Sequence, residues 1–184
     1  MLAAVTTLAV SSARAAAPVS AASARGTYRL HGTAHVVARP ALSRTVEVHA
    51  DVVLRPGTVR REVLVRVAAE GYTCDLVASV GAAGALEFGR DQRCVVDVRS
   101  RDTRGHLDGK LRAGSGRLAD GELSLQLAWD VSGSLGFRAG RRVEVGGAEV
   151  DLPAVWTPEV PVRGEAQASA SGRRDASRAA DPVR

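Results

Sequence analysis

The sequence predicts an all-β domain: an antiparallel meander closing into a small barrel, with a two-sheet β-sandwich as the alternative arrangement of the same strands. Three observations carry this. Apolar residues recur at every second position from Gly26 to about Gly164, turn dipeptides separate the alternating runs, and no stretch of the body has helical spacing. Alternation puts one face of each strand in a core and leaves the other wet, which is the pattern of an antiparallel sheet with one solvated face.

In the first run Tyr28, Leu30, Gly32, Ala34 and Val36 alternate with Arg29, His31, Thr33 and His35. A second run sets Val46, Val48, Ala50, Val52 and Leu54 against Thr45, Glu47, His49 and Asp51. Pro56-Gly57 has the residues a tight turn wants at its two central positions, so a further strand is expected from near Thr58. Tyr72–Val80 and Ala85–Gly89 are parted by a glycine-flanked turn, Gly81 to Gly84. Near Gly114-Ser115-Gly116 the inward parity changes from Leu107 and Leu111 to Leu118, which one extra residue in a β-bulge would produce. Asp120-Gly121 then opens the clearest strand, Leu123, Leu125, Leu127, Trp129 and Val131, while Gly146-Gly147 reads as another two-residue hairpin. The count comes to about nine to eleven strands. A membrane-spanning barrel is disfavoured because the wet faces carry Arg29, Glu47, Asp51, Asp75 and Asp130 where a lipid-facing band should be apolar.

The ends read differently. Leu2 to Val10 is an apolar run followed by Ala13-Arg14-Ala15, a small-x-small pattern, so residues 1–15 are expected to be a signal peptide and 16–25 a linker. Residues 26–164 form the single β domain. Residues 165–184, rich in Ala, Ser and Arg, are expected to be a disordered tail. No later segment is long and apolar enough for a membrane helix. Export to the periplasm or outside the cell agrees with the cysteines, since Cys74 and Cys94 are the only pair and an oxidising compartment would join them. Together, Tyr72–Val80, Ala85–Phe88 and Cys94 resemble a disulfide-closed hairpin seen in exported β-domains, some of them lipocalin-like in outline. That resemblance covers about 25 residues and implies no catalytic residue.

Of the 25 basic residues only Lys110 is lysine, and isoleucine and asparagine do not occur, which is the signature of a GC-rich genome. The formal charge of +5 is therefore weak evidence for a polyanion partner, because the arginines are interleaved with 20 acidic residues. Nucleic acid is not expected as a partner, for there is neither a recognised motif nor a set of aromatic stacking platforms. Nucleophile-elbow, phosphate-loop, dinucleotide and His-Glu-x-x-His motifs are all absent. The expected role is a non-catalytic binding or envelope-accessory module that needs no cofactor and takes a small apolar ligand, or an envelope component, at the barrel mouth.

Two residue sets stand out as candidate sites. His31 and His35 share a strand face, and a hairpin register with pairs summing to 80 would put His31 opposite His49 and Thr33 opposite Glu47. Three imidazoles and a carboxylate could then hold zinc or copper and support a metal-dependent enzyme. Trp156, between Pro153 and Pro158, is the large aromatic without a core stripe to join, and so a candidate ligand contact. Arg60-Arg61 and Arg141-Arg142 support a further alternative, arginine-mediated polyanion binding.

Overall fold

The computed structural model describes residues 24–39, 42–145 and 148–175. They form strands β1 (Gly26–Arg39), β2 (Leu42–Pro56), β3 (Glu62–Ala69), β4 (Tyr72–Val80), β5 (Ala85–Phe88), β6 (Arg93–Arg99), β7 (Thr103–Ala119), β8 (Glu122–Val145), β9 (Ala148–Trp156) and β10 (Val160–Arg173), with a short 3-10 turn at Ala82–Gly84. Every pairing is antiparallel. The strands run β7-β5-β4-β3-β2-β1-β10-β8, and β8 pairs back onto β7, closing a ring of eight strands that is barrel-like in outline. β6 continues the line of β5 along β7, and β9 folds onto the far half of β8 as a two-stranded ribbon.

Closure is staggered. Following cross-strand partners from Tyr28 leads to Val52, Val67 and Cys74, across the disulfide to Cys94, then to Gly109, Val131, Gly164 and Ala38. The path returns to β1 ten residues beyond its start, the offset that tilted strands need in order to close. Nearly every residue on it is buried, so the apolar phase of one strand meets that of the next all the way round.

The interior falls into two clusters. The larger contains Tyr28, Leu30, Val52, Leu54, Val63, Val65, Leu76, Leu86, Leu111 and Leu123 and fills the tightly laddered end. The smaller gathers Ala38, Leu107, Val131, Leu135 and Val162 at the opposite end. Trp129 packs against both.

Turn chemistry follows the sequence at Asp120-Gly121, where both residues have positive φ, 50° and 77°, as a two-residue hairpin turn requires. The Pro56-Gly57 turn is longer than expected. Gly57 and Glu62 are bridged by a backbone hydrogen bond of 2.8 Å, Arg61 takes a positive φ, and β3 begins at Glu62 rather than near Thr58. The bulge sits at Arg112, slightly before the glycines. Leu111 faces Trp129, Ala113 faces Ala128, and the extra residue between them points outward. Arginine suits that position because its guanidinium reaches Glu165 at 3.2 Å and Asp130 at 3.8 Å.

Residues 165–173 of the expected disordered tail belong instead to a strand. β10 runs to Arg173 with β1 on one side and β8 on the other. Its apolar phase consists of Ala166, Ala168, Ala170 and Gly172, half-buried, alternating with exposed Glu165, Gln167, Ser169 and Ser171. Alanine and glycine carry too little hydrophobicity to register as a stripe, yet the place demands them: a Cβ on Gly164 or Gly172 would overlap the carbonyl oxygen of Val37 or Arg29. Likewise, Ala24 at the end of the expected linker is fully buried in the larger cluster. The expected signal peptide, most of the linker and residues 176–184 lie outside the described residues.

Candidate functional site

β1 is a central strand between β2 and β10, so side chains on its wet face stand in fixed rows with those of its neighbours. The observed register pairs His31 with His49 and Thr33 with Glu47. The two imidazoles meet edge to face with ring centroids 4.8 Å apart, and their Nδ1 atoms are 2.7 Å apart. One ring therefore donates its Nδ1 proton to the bare Nδ1 of the other. The carboxylate of Glu47 lies 3.9 Å from Nε2 of His49. His35 is not part of this group: it faces Thr45 on the next rows, with its Nδ1 3.0 Å from the threonine hydroxyl. Among the described residues no three or more His, Cys, Asp and Glu side chains gather as a metal-holding group.

The histidine pair forms one wall of an open groove of about 380 Å³ whose other lining residues include Arg29, Asp51, Ala68 and Glu70. It exists because β3 stops at Ala69. From Ala50 onward β2 is laddered to β3, but before Ala50 no described strand covers that edge. The end of the β3–β4 hairpin forms the floor of the step, and a Cβ on Gly71 would stand 3.2 Å from the backbone oxygen of Asp97 on β6.

The same step exposes the inside of the ring. Val36, Val46, Val48, Val96 and Val98 occupy inward positions yet are only half-buried, because no strand crosses above the hairpin end. Opposite them Leu135, Val162 and Ala38 are buried. This end of the ring therefore presents half-buried apolar side chains, and Tyr72 packs against the larger cluster, where burial raises its phenol above the ordinary pKa.

Trp156 is placed elsewhere. It ends β9 opposite Arg138, is 37% exposed, and carries the Arg104 guanidinium 4.7 Å from its ring centroid. Beside it lies a constellation the sequence did not signal, because its members come from three separate segments. Ser134 donates a 2.6 Å hydrogen bond to Glu159 and stands 3.4 Å from Nδ1 of His106. The carboxylate here holds the serine rather than the histidine, so the order needed to activate a hydroxyl nucleophile is missing.

Cys74 and Cys94 form a disulfide with Cα atoms 5.3 Å apart, joining β4 to β6. Some arginines pair with carboxylates, Arg66 with Asp75, Arg112 with Asp130 and Glu165, and Arg29 with Asp51 and Asp175. No helix among the described residues is long and apolar enough to cross a membrane. Comparison of the chain with protein-family models, curated proteins and solved structures finds no match.

Proposed function

We propose that the protein is an exported, non-catalytic binding module that takes a small apolar ligand, such as an acyl chain, at the half-buried apolar end of its ring. The observation that carries this reading is the early end of the β2–β3 ladder at Ala50, together with the half-buried inward valines at 36, 46, 48, 96 and 98. Apolar side chains held half-wet on a fixed scaffold gain by covering them, at roughly 25 cal/mol per Å² of surface removed from water. The scaffold is already built, so little ordering opposes association. The disulfide supports the export half of the reading, since such bonds persist in oxidising compartments.

Trp129 reports on this site because it packs against both interior clusters. Titration of the full chain with a fluorescent sixteen-carbon acyl probe should show one-to-one saturable binding, a shift of Trp129 emission, and displacement by unlabelled fatty acid. Val46→Arg should weaken binding about tenfold or more. Absence of saturable binding, or indifference to Val46→Arg, overturns the reading. Mass spectrometry of exported protein tests the rest: a chain beginning near Ala16 with no free thiol is expected.

A further inference from the structure

We propose that His31 and His49 form a two-imidazole site for a divalent copper ion on the outer face of the ring, independent of the half-buried valines on its inner face. The site stands on geometry. Their β-carbons are fixed by adjacent ladder positions on a central strand and its neighbour, so the rings are brought together by the backbone and not by chance rotamers. Their Nδ1 atoms are 2.7 Å apart. Two nitrogens each about 2.0 Å from one ion stand about 2.8 Å apart when they subtend a right angle and about 3.3 Å apart at a tetrahedral angle. The 2.7 Å separation belongs to the hydrogen-bonded, metal-free pair, and small rotations of the two exposed rings reach either spacing; copper is favoured because imidazole ligands bind Cu(II) more tightly than the other first-row divalent ions.

The proton inventory also fits. In the metal-free pair one Nδ1 carries a proton and the other accepts it. Binding through both Nδ1 atoms requires each ring to hold its proton on Nε2. Glu47, 3.9 Å from Nε2 of His49, favours that tautomer at His49, the role a carboxylate plays behind a metal-bound imidazole. The Nδ1 proton of His31 moves to its own Nε2 through solvent, so no net proton is lost from a neutral pair. Asp51 and Glu70 line the same groove and add negative potential, opposed by Arg29. Water fills the other coordination positions, which the open groove admits.

The test uses the full-length, disulfide-bonded chain without an affinity tag, titrated with Cu(II) and followed by calorimetry and electron paramagnetic resonance. One ion per chain is expected, with a spectrum showing two imidazole nitrogens. His31→Ala and His49→Ala should each lower affinity at least about tenfold, Glu47→Gln about tenfold, and His35→Ala should change nothing. Both histidines are exposed, so the fold does not depend on them. Copper binding that survives loss of either His31 or His49, an equal loss with His35→Ala, or zinc held as tightly as copper would overturn the site.

Discussion

Gln92 occupies the place of a strand residue beside Val77. Its Oε1 accepts the Val77 N–H at 2.6 Å, while its Nε2 donates to the Val77 carbonyl at 2.8 Å and to the Gly89 carbonyl at 2.8 Å. The amide thereby supplies the two ladder bonds that are missing where β5 ends at Phe88 and β6 begins at Arg93. Only a side chain with one donor and one acceptor in a plane can do this. Gln92→Ala should cost about 1–2 kcal/mol, and Gln92→Glu at least as much, because a carboxylate cannot donate to the Val77 oxygen. Urea midpoints of the two variants check the ordering; a neutral Gln92→Glu would show that the amide does not hold the seam.

The disulfide closes the same seam a short way along. Cys74 and Cys94 are separated by 20 residues, for which the chain-entropy model gives about 3 kcal/mol. Because both devices tie β4 to the β5–β6 line, their losses should not add. Once Cys74→Ser has freed the seam, Gln92→Ala has less left to break. A double-mutant cycle is expected to give a coupling of at least about 0.5 kcal/mol, and strict additivity would mean the two act separately.

Alternation made the ring's large residues legible in the sequence: the buried phase of β1, β2, β4 and the first half of β8 follows it residue by residue. The parity of the histidine register was also legible, since keeping both apolar faces inward allows only even pair sums, whereas the sum of 80 that pairs His31 with His49 was one choice among them. What could not be read was set by non-local geometry. The early end of β3 depends on a turn longer than Pro56-Gly57 suggested, and β10 is written in alanine and glycine, whose suitability appears only once the Val37 and Arg29 carbonyls are in place. The Ser134, Glu159 and His106 group has no spacing of its own to recognise.

Arg66 and Asp75 form a fork-to-fork pair across β3 and β4, with bonds of 2.6 and 2.7 Å. The Arg66 hydrogen bond lowers the Asp75 pKa, with desolvation opposing. A carboxylate whose pKa is depressed in the folded state stabilises the fold above its unfolded pKa, and that contribution disappears as pH falls through the folded value. Both side chains are more than half exposed, so the contribution at neutral pH is small and screened by salt. Wild type should exceed Asp75→Asn in urea midpoint at pH 7, and the gap should close as pH falls below the ordinary aspartate value and through the lower folded one. A gap that persists once Asp75 is protonated would assign the effect to packing.

Two glycines of β10 leave no room for a side chain beside β1, and they make the strongest test of the closure itself. Gly164 and Gly172 sit on the inward phase, each with no room for a Cβ beside a β1 carbonyl. Adding a methyl group there must push β10 away from β1 and lengthen ladder bonds that also hold β8. Gly164→Ala and Gly172→Ala are each expected to cost about 1–3 kcal/mol, with valine worse at either position, whereas Gln167→Ala on the exposed phase of the same strand should stay within about 0.5 kcal/mol. Thermal unfolding separates the two classes. If the glycine variants melt with wild type, β10 does not close the ring in the register described, and the stagger traced from Tyr28 to Ala38 fails with it.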